Sequence, residues 1–377
     1  MLKKVDLRVL LTVGAAIGVM ASVSACGSSD KSSSNSSNAS GSGGGSDSGK
    51  RPAWCGDKQT TLALADGFGD NNWRRITTAE AKDEAAKCPS VTKFIYTDGQ
   101  GNTQKAISDI QGLVAQGANA MVVFPDAGKA VLPAIRQAYK AGVVTVPYRV
   151  FPGGKDGVDY NAWVKTDFKA AGRLWGNWLK KALPHGGNVL NLGGPPANSQ
   201  SLDEYQGMKE VLADRPDIKF VGQTPYAVTN WDPAQTQKVV TAALAKNPKI
   251  DAITTDFGAA LASSFGAFKQ AGRKIPAVAT EDSNQLSCDR QKLLATNPGF
   301  KLFTVDSQNW MSRTAIQYAV AKATGGKLPG TTVPQKPFED SISKKPHNAT
   351  CDKSLPGDAF LSSHLNHQQI KQALAAS

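Results

Sequence analysis

Residues 60–100 read TTLALADGFGDNNWRRITTAEAKDEAAKCPSVTKFIYTDGQ, and the order of patterns in this stretch decides the fold. Residues 61–65 are a short apolar run stopped at Asp66-Gly67, residues 73–87 are rich in Ala and charges, and residues 93–96 are a second apolar run stopped at Thr97-Asp98-Gly99. A brief continuous apolar run between turn residues reads as a strand buried on both faces; the longer segment between two such runs reads as the helix that covers them. Working outward, residues 102–116 place Ala106, Ile110 and Leu113 at three- and four-residue spacing. Residues 120–124 form a third strand stopped by Pro125, residues 127–141 a helix, and residues 143–146 a fourth strand stopped by Pro147. Strand, helix and strand in alternation predict βαβ units and a parallel sheet.

The alternation restarts after Asp167. A helix over 169–183, carrying Leu174, Trp175, Trp178 and Leu179, leads to a strand over 188–192 that ends at Gly193-Gly194-Pro195-Pro196. Then come a helix over 202–213, a strand over 218–221, a helix over 233–247, a strand over 252–255, a helix over 259–271 and a strand over 277–280. Each half therefore holds about four strands, and the predicted class is α/β, with two similar halves. Residues 303–305 add a late strand and 310–324 a helix ended by Gly325-Gly326. Residues 327–377, rich in Pro, Lys and Asp and closing in a weak helix over 366–375, read as a tail laid over the domains and pinned by Cys351. Trp163, Trp175 and Trp178 fall where core packing is the expected role; Trp310 fits cleft or core equally.

At the N-terminus Lys3, Lys4 and Arg8 precede an apolar run over 10–23. That run is shorter than the ~20 residues of a membrane span and matches the core of a secretory signal. Val23-Ser24-Ala25-Cys26-Gly27 follows and resembles a bacterial lipobox. The resemblance implies cleavage before Cys26 and a diacylglycerol on its sulfur. Residues 27–50 are Ser, Gly and Asn with a few charges and no apolar residue beyond Ala39. Such a segment buries nothing and acts as a flexible leash with a mean span of about 25 Å. The expectation is a domain tethered to the outer face of the cell membrane.

The chain carries a net charge of +12, and removal of residues 1–25 leaves +10. Its Lys and Arg are scattered rather than clustered, so attraction to an anionic envelope is expected and nucleic-acid binding is not. Beyond Cys26 there remain Cys55, Cys88, Cys288 and Cys351. An even set in an oxidising compartment predicts two disulfides. Three pairings are possible, and Cys55 with Cys88 and Cys288 with Cys351 are favoured because each pair stays at one end of the chain. The spacings are wide and contain no CxxC, so no metal or other cofactor is expected.

In open parallel sheets ligands bind beyond the carboxyl ends of the strands. The residues there are Asp66, Asp70, Asn71, Asn72 and Trp73; Asp98 and Gln100; Asp126; Tyr148 and Arg149; Asn198 and Ser199; Asn230, Trp231 and Asp232; Asp256; Glu281 and Asp282; and Ser307, Gln308, Asn309 and Trp310. Carboxylates, amides and an Arg bond hydroxyls in planar pairs, while Trp covers the apolar C–H faces of a sugar ring. This set fits a neutral sugar or polyol better than a charged or apolar ligand.

The order and spacing over roughly residues 60–329 resemble the ribose- and galactose-type periplasmic binding proteins, the substrate-binding components of ABC importers. LADGFGDNNWRR looks like that family's opening strand and cleft segment, which places Asn72 and Trp73 in the cleft. VTVPYRV puts Arg149 on the family's ligand-binding Arg, with Tyr148 where it usually carries Asp. TNWDPAQ supplies Trp231 as the stacking aromatic. DAITTDFGAALASSFGAFKQAG puts Phe257 on a ligand-binding Asn with Asp256 one place before it, and either side chain fits the ligand-facing role. AVATEDSN puts Asp282 on a ligand-binding Asp, KLFTVDSQNW puts Ser307 or Gln308 on a Gln, and Asn198 lies where an Arg is common.

The resemblance implies two Rossmann-like lobes with parallel sheets joined by a multi-strand hinge. It divides the chain into a signal peptide (1–25), an anchor and linker (26–53), an N-terminal lobe (54–165 and 308–334), and a C-terminal lobe with the tail (166–307 and 335–377). It implies a monomer that captures a sugar or polyol in an interlobe cleft and delivers it to an ABC permease, without catalysis. A sensing lobe for a membrane kinase has the same fold and anchor. A carbohydrate-active enzyme using Asp256 and Asp282 as paired carboxylates is a further alternative, but no GxSxG, HExxH or phosphate-binding Gly-rich loop accompanies it.

Overall fold

The computed structural model describes residues 51–69 and 71–375. The signal, Cys26, the leash and Asp70 lie outside the described residues. The first lobe runs β1 (Thr60–Asp66), α1 (Asn72–Ala86), β2 (Val91–Asp98), α2 (Thr103–Ala115), β3 (Ala120–Phe124), α3 (Leu132–Lys140) and β4 (Val144–Pro147). All four strands are parallel, in the order β2-β1-β3-β4. Side chains alternate across each strand, so β1 feeds two cores. Leu62 and Leu64 face α1, whereas Ala63 and Ala65 face Ile110 and Leu113 of α2.

After β5 (Lys165–Thr166) the second lobe runs α4 (Phe168–Ala182), β6 (Gly187–Gly193), α5 (Ser199–Val211), β7 (Ile218–Val221), β8 (Ala227–Val228), α6 (Pro233–Lys246), β9 (Ala252–Thr255), α7 (Gly258–Ala262), α8 (Phe265–Gln270), β10 (Ala277–Glu281), α9 (Asn284–Thr296) and β11 (Leu302–Val305). Its seven-stranded sheet is wider than the four strands expected, because β8 extends β6 beyond β7, β11 pairs with β10, and a late antiparallel strand adds an edge. Trp175 and Trp178 of α4 are buried against Val189, Ala279 and Phe303 on one face of this sheet. The other face packs Leu190, Ile253 and Val278 against Val240 and Phe268.

The chain then forms α10 (Met311–Thr324), β12 (Thr332–Val333), β13 (Pro337–Asp340) and α11 (His367–Ala375). α10 packs on α1 and on β3 and β4 of the first lobe, and β13 pairs antiparallel with β11 of the second. β12 pairs with β5, Thr166 Oγ1 donates to the Val333 carbonyl at 2.9 Å, and the Asp306 amide donates to the Lys336 carbonyl at 3.0 Å. Three chain crossings thus lie side by side between the lobes.

Asn71, Asn102, Asp167, Asn198, Asp232 and Ser283 open α1, α2, α4, α5, α6 and α9, each side chain accepting a first-turn amide. These caps satisfy donors that a helix start leaves free. Gly325, at φ 85°, ends α10 in the left-handed conformation that costs glycine least.

Three readings are corrected by the structure. The helix expected over 259–271 is broken into α7 and α8, because the Ser263 and Ser264 hydroxyls donate to the carbonyls of Ala260 and Leu261. Helix α9, which the pattern did not predict, has only Asn284, Leu286 and Ser287 buried, so it lacks an apolar stripe. The tail, grouped with the second lobe, does not stay there: Phe360, Leu365 and Ile370 are buried in the first-lobe core and α11 packs on α1. The disulfides Cys55–Cys88 and Cys288–Cys351 are both formed.

Candidate binding site between the lobes

Pro147 ends β4, and the two residues after it carry the first-lobe half of the site. Tyr148 is fully buried, edge-on to Phe124 at 4.9 Å, and its hydroxyl has no hydrogen-bond partner among the described residues. Arg149 takes the left-handed conformation at φ 60°, which costs a non-glycine residue about 1–3 kcal/mol and is held by surrounding contacts. Its guanidinium lies 4.7 Å from the centre of the Trp73 ring and 5.2 Å from that of Phe168. Trp73, in the first turn of α1, donates its indole N–H to the Ser307 carbonyl at 3.2 Å. Asn72 is half-buried beside it, and Asn71 serves as the cap of α1.

Arg149 also reaches the second lobe. It donates to Glu281 Oε1 at 2.8 Å and to Gln200 Oε1 at 3.1 Å. The Gln200 amide in turn donates to Glu281 at 3.1 Å and to Glu204 at 3.2 Å. Beside this chain, Asp256 accepts from the Trp231 indole at 3.1 Å and from the Ser201 hydroxyl. Trp231 is itself left-handed at φ 57°, and its ring lies so close to Gly194 that a Cβ there would meet it at 2.4 Å. That glycine is required by close approach. Beneath the first-lobe half, Arg74 pairs with Asp66 at 3.1 Å and with Asp126.

Burial sets the electrostatics. Desolvation pushes Glu281 up to about 8, despite Arg149, and Asp256 up to about 6, despite its two donors. Glu204 is driven well above its ordinary value by burial, and then by the charges of Asp256 and Glu281. Asp126 is raised to about 6 by burial, which Arg74 partly offsets.

Of the residues expected in the cleft, Trp73, Tyr148, Arg149, Trp231 and Asp256 come together here. The others are placed differently. Asp282 accepts from the Ser307 amide and the Ser362 amide, both at 3.0 Å, and from the Ser362 hydroxyl at 2.6 Å. Its carboxylate is thus spent on hinge and tail. Gln308 exchanges hydrogen bonds with Pro334 and Gln335 across the hinge, each at 3.2 Å. Asn198 caps α5 through the Ser201 amide at 3.1 Å. Phe257 turns toward Phe360 of the tail, ring centres 6.2 Å apart. Trp310 donates to Asp306 and stacks on His364 at 4.5 Å. Glu281 stands in the strand-end set beside Asp282, the residue that carries the family match. Arg74, Gln200 and Ser201 lie in first turns of helices and Glu204 in the second turn of α5, where a search of strand ends does not look.

Two sheets with helices on both faces, three adjacent crossings, and a buried polar and aromatic set between them define a two-lobed binding protein. The chain belongs to the periplasmic binding protein domain family, which matches residues 64–327. A galactofuranose-binding protein of Escherichia coli is 28% identical over 162 residues, which are 43% of this chain and 50% of that protein. A xylitol-binding protein of Mycolicibacterium smegmatis is 24% identical over 195 residues, 52% of this chain and 54% of that protein. The chain spans about half the length of these curated relatives. The crystal structure of a Caulobacter myo-inositol binding protein bound to myo-inositol superposes with a TM-score of 0.63 at 25% identity, covering 74% of this chain and 92% of that one.

Proposed function

We propose that this protein is an extracytoplasmic solute-binding component of an ABC importer, which captures a neutral monosaccharide or polyol between its lobes and presents it to a membrane permease. The observation that carries this reading is the reach of Arg149, over the Trp73 ring, to Glu281 and Gln200 of the opposite lobe. A ligand hydroxyl entering there exchanges the Arg149–Glu281 bond for one donated by Arg149 and one accepted by Glu281. Asp256 and the Tyr148 hydroxyl offer further partners, and Trp231 forms a wall. Closure of the lobes excludes water and strengthens each contact. The relatives named for galactofuranose, xylitol and myo-inositol bind ligands of this chemical class. A lipid on Cys26 would keep the receptor beside its permease.

Thermal-shift screening of the mature protein against galactose, ribose, xylose, xylitol and myo-inositol tests the proposal. A ligand at about a hundredfold its Kd adds about 2.7 kcal/mol to stability and raises the melting temperature. A flat response to the whole panel, with a shift from amino acids or purine nucleosides, overturns the sugar assignment.

A further inference from the structure

The last 25 or so residues do more than cover the surface. Their path begins on the second lobe, where Cys351 is bonded to Cys288 of α9. Asn284 holds the next stretch, its side-chain amide donating to the Asp352 carbonyl at 2.7 Å and its backbone amide to the Ala359 carbonyl at 2.8 Å. The Gln285 amide adds a bond to the Gly357 carbonyl at 2.7 Å. The segment then crosses to the first lobe. Phe360 is fully buried in that lobe's core while its ring faces Phe257 of the second. Ser363 Oγ and the His364 amide both donate to Glu80 of α1 at 2.7 Å, and Gln369 donates to Asp83 at 2.6 Å. At the crossing itself, one carboxylate gathers three hydrogen bonds: Asp282 accepts two from Ser362 of the tail and one from Ser307 of the hinge.

We propose that residues 351–375 form a fourth connection between the lobes, a strap anchored by Asp282 and the Cys288–Cys351 disulfide, and that this strap holds the ligand-free protein closed. Its contacts coexist with the Arg149–Glu281 bond between the lobes, so they favour the arrangement in which the lobes are together. Asp282 is then a positioning residue: it touches the strap and the hinge, and it sets the fraction of molecules whose cleft is assembled for binding. The apparent affinity scales with that fraction. The inference rests on the hinge-closing binding function proposed above.

Small-angle X-ray scattering of the ligand-free protein tests it, comparing wild type with Asp282→Asn, Ser362→Ala and the paired Cys288→Ser, Cys351→Ser variant. Each variant is expected to show a larger radius of gyration than wild type. For whichever panel sugar shifts wild type, the apparent Kd is expected to weaken by roughly tenfold, with the loss in association of the competent form. Should Asp282→Asn fail to fold, Ser362→Ala removes a single hydroxyl and carries the comparison. Variants that melt earlier but scatter and bind as wild type does would overturn the strap and leave a purely stabilising tail. If no panel sugar binds wild type, the sugar reading fails, while the ligand-free scattering still decides the strap.

Discussion

Glu281 and Asp282 are neighbours at the end of β10, and strand geometry sends adjacent side chains to opposite sides. Glu281 meets Arg149, and Asp282 meets Ser307 and Ser362. A motif match lands on the pair, but a one-residue step decides which carboxylate faces the other lobe. At the adjacent pair Asp256 and Phe257, Asp256 lies beside Trp231 and Phe257 beside Phe360. Trp231→Ala removes a donor to Asp256 and, on the proposed function, a wall of the cleft, so ligand affinity is expected to fall by at least tenfold, about 1.4 kcal/mol, in calorimetric titration. Asp282→Ala, in contrast, is expected to lower the melting temperature of the free protein, because it removes three hydrogen bonds and leaves the Ser362 amide without its acceptor. Burial also makes stability depend on pH. Glu281 is raised from its ordinary 4.5 to about 8, so the folded state holds a proton that the unfolded state has released across that window. Stability is therefore full below the lower value and is lost as pH rises through the upper one. Asp256 and Asp282 act in the same direction. Melting temperature is expected to fall between about pH 5 and about pH 9, with a shallower slope in Glu281→Gln. An unchanged slope in that variant would remove Glu281 as a source.

Among elements, apolar runs bounded by Gly, Pro and Asp disclosed most of the central strands, because a doubly buried strand has little choice of composition. What stayed hidden has local causes. α9 and β13 carry few buried apolar residues, and the α7–α8 break depends on serine hydroxyls taking helix carbonyls. The contact between α4 and α5 was also invisible in the sequence pattern. A Cβ on Gly172 would meet the Glu204 carbonyl at 1.9 Å, and one on Gly207 the Lys169 carbonyl at 2.1 Å. Backbone meets backbone there, so neither side can yield cheaply. Since α5 carries Gln200, Ser201 and Glu204, Gly207→Ala is expected to cost at least 1–3 kcal/mol in denaturant unfolding and to displace the site with it. Normal stability and binding in that variant would show that the helices can slide apart freely. α1 and α10 are joined differently, through Arg313 with Glu80, Asp83 and Glu84. Arg313→Ala leaves the buried Glu80 without its cation, whereas Asp83 and Glu84 keep Lys87, and a loss of about 3–5 kcal/mol is expected.

At the scale of the whole molecule, the interleaved lobes followed from resemblance rather than from periodicity, and Cys351 signalled only the attachment of the tail to the second lobe, not its return to the first through Phe360, Leu365 and Ile370. The charge distribution separates the cleft from the rest of the chain. The protein is basic overall, at +12 for the full sequence. Yet the acidic groups around the site are Asp66, Asp126, Glu204, Asp256 and Glu281, all buried except Asp126, against the buried Arg74 and Arg149. Both guanidiniums are already engaged, Arg74 with Asp66 and Asp126 and Arg149 with Glu281 and Gln200, which leaves no free cation to receive an anionic ligand, and bringing another negative charge into this buried set is costly. Long-range attraction by the basic surface does not offset that cost, since exposed charges are screened within about 8 Å at physiological salt. Neutral sugars and polyols avoid the penalty because their hydroxyls both donate to carboxylates and accept from guanidinium. Galacturonate is therefore expected to produce a smaller thermal shift than galactose at equal concentration, at both low and high salt. The shift from the neutral ligand is expected to stay constant as salt rises, since no counterion is displaced when it binds. A stronger response to the acid, decaying with salt, would place a ligand-facing cation in the cleft and reverse the assignment of a neutral ligand.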